Sequence, residues 1–233
     1  EVRKKSPQLK LKLDEQDYQR NIKKEQAIPY LLMNNQFPIS FLMERARDLG
    51  YELTMEESSQ GTNREVIFHY RPTSDVNRRT YILEWGKSLI SFQPTFQVAN
   101  QVAELTVRGW NPQTKKQIKV TVKRSDIKGI VTPSELGVSE PAPTKKEEIV
   151  VDRPIQNEAE AKLLATNRLR QMCEGLIEAK GKTIGVPDLR SGSKVEIRGL
   201  GTRFSGAYLV TSTTHSIGDG GYTTDFTGRM EKL

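Results

Sequence analysis

The sequence predicts a mainly β chain with short helices, an α+β protein built from two small β-barrel-type domains. Three observations point there. Apolar and β-branched residues alternate with polar ones at a period of two, most clearly over 117–123 and 208–215, the pattern of strands with one buried face. Two stretches, 38–49 and 157–172, keep a helical period instead. Between them, four prolines with Ser, Thr and Glu crowd residues 128–154, a composition that interrupts regular structure. The expected division is a first domain over 1–127, a linker over 128–154 and a second domain over 155–233.

Residues 1–30 are polar and charge-rich without a clear period, and they predict no element. In "FPISFLMERARDLG", Pro38 suits a first helical turn, and Ile39, Leu42, Ala46 and Leu49 recur at helical spacing. Glu44, Arg45, Arg47 and Asp48 take the other side, and Gly50 can end the helix in a left-handed conformation. Phe41 and Met43 read as packing residues. Strands follow: 65–70 and 80–85 are extended, with the polar segment 58–63 marking a turn. Leu105, Val107 and Gly109 share one strand face, "NPQTKK" turns the chain, and Ile118, Val120 and Val122 return on the same face. Gln117, Lys119, Thr121 and Lys123 then face outward. Trp110, beside the turn, is either a half-buried cap on the sheet or a contact residue.

Asn157 followed by Glu160 reads as an N-cap with a capping-box partner, opening a helical stripe of Ala161, Leu164, Ala165, Leu169, Met172, Cys173 and Leu176, with Gly175 as its stop. Beyond it, 176–180, 194–198, 208–215 and 222–230 read as closely spaced strands, which suggests a small barrel. The glycine-rich stretch 199–226 invites a phosphate-binding reading, but the spacing opposes it. Phe204 stands where a dinucleotide fingerprint needs its third glycine, and Ala207 and Tyr208 stand where a P-loop needs lysine and hydroxyl. The glycines read instead as turn residues.

Charge is uneven. The formal net charge is +7, and residues 108–128 alone carry seven basic side chains against one acid, 7 − 1 = +6. Arg108, Trp110, Lys116, Lys119 and Lys123 are accordingly the candidate interface residues. A cluster of this kind can meet an acidic partner or nucleic acid, or be a solvated hairpin face.

Elsewhere the residue types argue against chemistry. A single cysteine, Cys173, rules out an internal disulfide framework, and its helical neighbours make it a core residue. His69 and His215 have no ligand partners at metal-binding spacing. Ser205 lacks the surroundings of a nucleophile elbow, and Glu147 and Glu148 sit in the expected linker. No catalytic residue, metal ligand or cofactor is expected. No apolar run nears the roughly 18 residues that span a bilayer.

Read together, "FLMERARDLGYEL", "LEWGKSLISFQPTFQVANQVAELTVRGWNPQTKKQI", "VVDRPIQNEAEAKLLATNRL" and "GKTIGVPDLRSGSKVEIRGLGTRFSGAYLVTSTTHSIGDGGYTTDF" resemble the phage late control D protein family. Its members are hub proteins of contractile phage tails and related injection systems, and the amino-terminal part of VgrG proteins is similar. The resemblance implies a non-enzymatic homotrimer in which each subunit contributes two similar barrels, adapting a sixfold inner tube to a threefold spike. It implies as partners further copies of the chain, a spike protein, the tube protein and other baseplate proteins. Its place would be a virion tail baseplate or injection particle, assembled in the bacterial cytoplasm. Strands that family members carry ahead of the 38–49 helix are not recognisable here. The expectation is therefore a first barrel that is incomplete, or a chain that is a fragment.

Overall fold

A computed structural model of the chain describes residues 11–13, 19, 33, 35–60, 63–72, 78–97, 102–137, 145–149, 155 and 157–231. The expectations for most of residues 1–30 lie outside these. The chain forms two compact units, Glu1–Val76 and Asn77–Leu233.

Among its described residues the first unit holds a three-stranded sheet and a helix over 38–49. Helix α1 (Pro38–Leu49) begins with proline at its first turn and closes on Gly50, whose φ of 72° is left-handed and costs a residue without a Cβ little. Phe41 and Ala46 are buried, whereas Met43 is 45% exposed. Of the two expected packing residues, only Phe41 is enclosed. Directly after the cap, β2 (Tyr51–Gln60) pairs antiparallel with β3 (Asn63–Pro72), from Tyr51 opposite Pro72 to Gln60 opposite Asn63. Of the expected turn at 58–63, residues 58–60 and 63 instead lie in the strands, and 61–62 lie outside the described residues. β1 (Leu11–Leu13) adds to β3 in parallel, giving the order β1-β3-β2. The rings of Tyr51 and Tyr70 stack at 5.0 Å.

Among its described residues the second unit contains two sheets. The larger has six strands: β4 (Thr80–Glu84), β5 (Leu89–Phe96), β9 (Ile177–Ile184), β10 (Lys194–Arg198), β11 (Gly206–Gly218) and β12 (Gly221–Glu231). Their spatial order is β4-β10-β11-β12-β9-β5. The strands β4 and β5 are the opposite edges of this sheet, yet only residues 85–88 join them. A connection that short spans little distance, so the sheet must curl until its edges meet at that end. The turn is held from both sides: Trp85 N–H donates to Arg198 O at 3.0 Å, and Ile184 N–H donates to Ser88 O at 3.2 Å. The result is a half-barrel lined by Leu83, Leu89, Ile177, Leu189, Val195, Ile197, Tyr208, Val210 and Phe226. Tyr208 is fully enclosed, and its hydroxyl donates to Phe204 O at 2.9 Å, which satisfies the one polar atom it carries inward.

The smaller sheet has the order β7-β6-β8, from β6 (Glu104–Asn111), β7 (Lys116–Lys123) and β8 (Lys145–Ile149). Helix α2 (Glu158–Cys173) lies across its inner face, with Asn157 Oδ1 accepting from Glu160 N–H at 2.8 Å as the expected N-cap. Leu105, Val107, Ile118 and Val122 from the sheet and Ala161, Leu164, Ala165, Leu169 and Cys173 from the helix form one core. Burying side chains of this size stabilises by about 1.5–3 kcal/mol each.

Two expectations are corrected. Strands β4 and β5 from the expected first domain share a sheet with β9 to β12 from the expected second, and the compact units meet at 76/77 rather than at 128–154. The described residues of the segment expected as a linker, 128–137 and 145–149, are integral to the second unit. Ile130 enters the α2 core and Leu136 the half-barrel core, Arg203 Nε donates to Leu136 O at 3.1 Å, and β8 pairs in parallel with β6. Its apolar residues Ile130 and Leu136 had cores to enter, which composition alone does not reveal.

Candidate interaction face

The basic face is a product of the β6–β7 register. Opposed pairs run from Glu104 with Lys123 to Asn111 with Lys116, through Thr106 with Thr121, Arg108 with Lys119 and Trp110 with Gln117. Since side chains alternate across a strand, Leu105, Val107 and Gly109 turn toward α2 while Glu104, Thr106, Arg108 and Trp110 turn away. On β7 the buried positions are Ile118 and Val122, and Gln117, Lys119 and Lys123 are exposed. The hairpin turn is closed by Asn111, whose Oδ1 accepts from Gln113 N–H at 2.9 Å and Thr114 N–H at 3.0 Å.

Four of the five expected residues therefore share one outward surface: Arg108, Trp110, Lys119 and Lys123. The fifth, Lys116, belongs by register to the opposite side, although at the strand's end it is exposed too. Trp110 is 55% exposed, so nearly half of its surface is covered and the rest is open to solvent. Arg108 and Lys119 stand directly opposite each other, a like-charge pairing that disfavours a sheet. Two residues of this surface, Thr106 and Glu104, escaped the sequence reading, which already had Thr121 facing outward. Thr106 and Thr121 join their hydroxyls at 2.8 Å across the ladder, and Glu104 faces Lys123. Extending the Leu105–Val122 pairing by one step would have found both.

The other candidates are structural in their surroundings. Cys173 is buried, its Sγ lies 3.5 Å from Val102 O, and burial pushes the thiol up to about 11. His215 sits between the β11–β12 hairpin and the 186–193 loop, with Nδ1 at 2.8 Å from Tyr222 Oη and Nε2 at 3.0 Å from Leu189 O. Ser205 Oγ accepts from Leu200 N–H at 3.0 Å within a turn. The turn reading of the glycine-rich stretch holds: Gly199, Gly201 and Gly221 have φ of 87°, 72° and 96°. At the end of α2, Arg229 Nη1 meets Glu174 at 2.9 Å. Burial nevertheless raises the Glu174 carboxyl pKa, outweighing the pull of Arg229. Among the described residues no group of His, Cys, Asp and Glu could hold a metal ion, and no helix is long and apolar enough to cross a membrane.

A half-barrel joined to a helix-backed sheet is an architecture found among phage tail proteins. The 43 kDa tail protein of prophage MuSo2 from Shewanella oneidensis is similar over 97% of this chain and 62% of its own, with a TM-score of 0.63 and 12% identity. The tail protein from Neisseria meningitidis MC58 is similar over 98% of this chain and 64% of its own, at 0.62 and 12%. A chain from the virion of a native gene transfer agent particle follows, over 86% and 40%, at 0.53 and 12%. The chain thus has the fold of phage tail proteins, and it spans less than two thirds of the length of each of these three. No curated protein matches by sequence. A family model, the Alg8 N-terminal domain, matches residues 41–219, and the chain belongs to that family.

Proposed function

We propose that the chain is a structural part of a contractile phage tail or related injection particle, acting through surfaces and not through an active site. Within that role it is a homotrimeric hub of the late control D kind, joining a sixfold inner tube to a threefold spike and contacting other baseplate proteins. It assembles in the bacterial cytoplasm and ends in the tail. The observation that carries this reading is the likeness to two tail proteins over 97% and 98% of the chain, at TM-scores of 0.63 and 0.62. The outward face of β6 and β7 supports it as the contact surface. There Arg108 and Lys119 are held side by side, an arrangement that an acidic partner surface would relieve.

Replacing Lys116, Lys119 and Lys123 by glutamate tests this. The triple variant should fold normally, because exposed charges carry little stability, and should fail to assemble into tails. Normal assembly would remove the face from the account. A second reading, nucleic-acid binding, draws on exposed Trp110 beside the same cations, since aromatic and basic side chains together can hold a single strand. Binding to DNA that weakens steeply with salt, and is lost in the same variant, would favour it.

A further inference from the structure

A peptide bond rearranges most readily where an aspartate precedes glycine, because no side chain on the next residue hinders its amide nitrogen from reaching the carboxyl carbon. Asp219 is the one aspartate of this chain in that position. The fold sets it at the tip of the β11–β12 hairpin, where Gly218 pairs with Gly221 across the two-residue turn Asp219-Gly220. Residues 216–221 are all exposed. A Cβ placed on Gly218, Gly220 or Gly221 would meet nothing within 4 Å, so the space around Asp219 is open. Gly220 N–H donates to no backbone carbonyl among the described residues, and no such bond holds its nitrogen away from the carboxyl group.

We propose that Asp219 is a site of spontaneous isomerisation to isoaspartate, a covalent change that needs no co-reactant but water. Gly220 N attacks Asp219 Cγ: the N–Cγ bond forms, the Cγ–O bond breaks, and the hydroxyl leaves as water with the amide proton. The product is a succinimide ring. Water then opens it. Addition at Cγ restores aspartate, whereas addition at the main-chain carbonyl breaks the original bond to Gly220 N and leaves the chain running through Cβ and Cγ.

The rearranged turn is one backbone atom longer, and turn length sets the register of a hairpin. The pairs nearest the tip take the change: Ile217 with Tyr222 and His215 with Thr224. Both β12 residues also hold the chain beyond β9. Tyr222 O accepts from Gly185 N–H at 2.8 Å, Thr224 Oγ1 accepts from Val186 N–H at 3.0 Å, and Tyr222 Oη lies 2.8 Å from His215 Nδ1. Isomerisation therefore loosens the hairpin tip from residues 185 and 186. On the tail reading a chain in a finished particle is not replaced, so the altered form accumulates there with age; the chemistry itself needs no partner.

The test is to age the full-length protein at neutral pH in heavy-oxygen water and map its peptides by mass spectrometry. Each ring opening leaves a heavy oxygen in the peptide, and fragmentation tells isoaspartate from aspartate. Label and isoaspartate should build up at Asp219 and not at Asp225, which lies in β12 and precedes Phe226. Asp219→Glu, whose ring would be larger, should lose both signals, and Gly220→Ala, which the open space admits, should slow both. In the isomerised form, amide exchange at Gly185 and Val186 should quicken. A folded wild type that takes up no label at Asp219 while the denatured chain does, or equal uptake at Asp225, would overturn the proposal. Unchanged exchange at residues 185 and 186 in the isomerised form would overturn its effect on the hairpin.

Discussion

Ile155 occupies the space that a side chain at Gly109 would need: a Cβ placed on Gly109 would stand 2.6 Å from Ile155 Cδ1. The close approach lets the residue ahead of α2 seal the core beneath the hairpin, so the outward face of β6 rests on a fixed inner one. Gly109→Ala is expected to destabilise the second unit by about 1–3 kcal/mol, the usual cost of overpacking. Denaturant titration measures it, and an unchanged midpoint would mean that Ile155 moves aside freely.

Asn157 holds the start of α2 through its bond to the Glu160 amide. Asn157→Ala should cost about 1 kcal/mol, read as a lower melting temperature. Asn157→Asp should retain the cap and the stability.

Cys173 reports on the same core. Its thiol is pushed from an ordinary 9.0 to about 11, chiefly by burial. The folded chain keeps a proton that the unfolded chain releases above pH 9.0, so stability from this group falls as pH rises from 9.0 toward 11. A disulfide reagent at pH 8 should react slowly with the native chain and at once in denaturant. Fast native labelling would contradict the packing of α2 on its sheet.

Lys119→Glu replaces the like-charged neighbour of Arg108 with an opposite one. Stability should hold or rise by up to about 1 kcal/mol, while incorporation into tails falls. Loss of both together would make Lys119 a folding residue and not a contact.

Local signals in the sequence were reliable where the chain pairs with itself nearby. Pro38 and Gly50 bracket α1, Asn157 opens α2, and the alternation around Lys119 predicts the β6–β7 hairpin together with its outward face. Long-range pairing leaves no such mark. Nothing near Thr80 announces that β4 will lie parallel to β10, and nothing between Glu84 and Leu89 shows that a four-residue turn joins the two edges of a sheet. Composition was least informative over 128–154. Prolines and charges there suggested solvent, yet Ile130 and Leu136 are buried, because an apolar residue can enter a core without belonging to a periodic pattern. The outward face of the hairpin was legible except for Lys116, whose place at the strand end puts it on the other side by register.

The central claim is tested most directly by counting copies of the full-length protein in tail particles purified from its own source, by quantitative mass spectrometry against the tube and spike proteins. The account predicts three copies in each particle, at the junction of tube and spike. Particles that are complete without it, or that carry it in a number not divisible by three, would contradict the account.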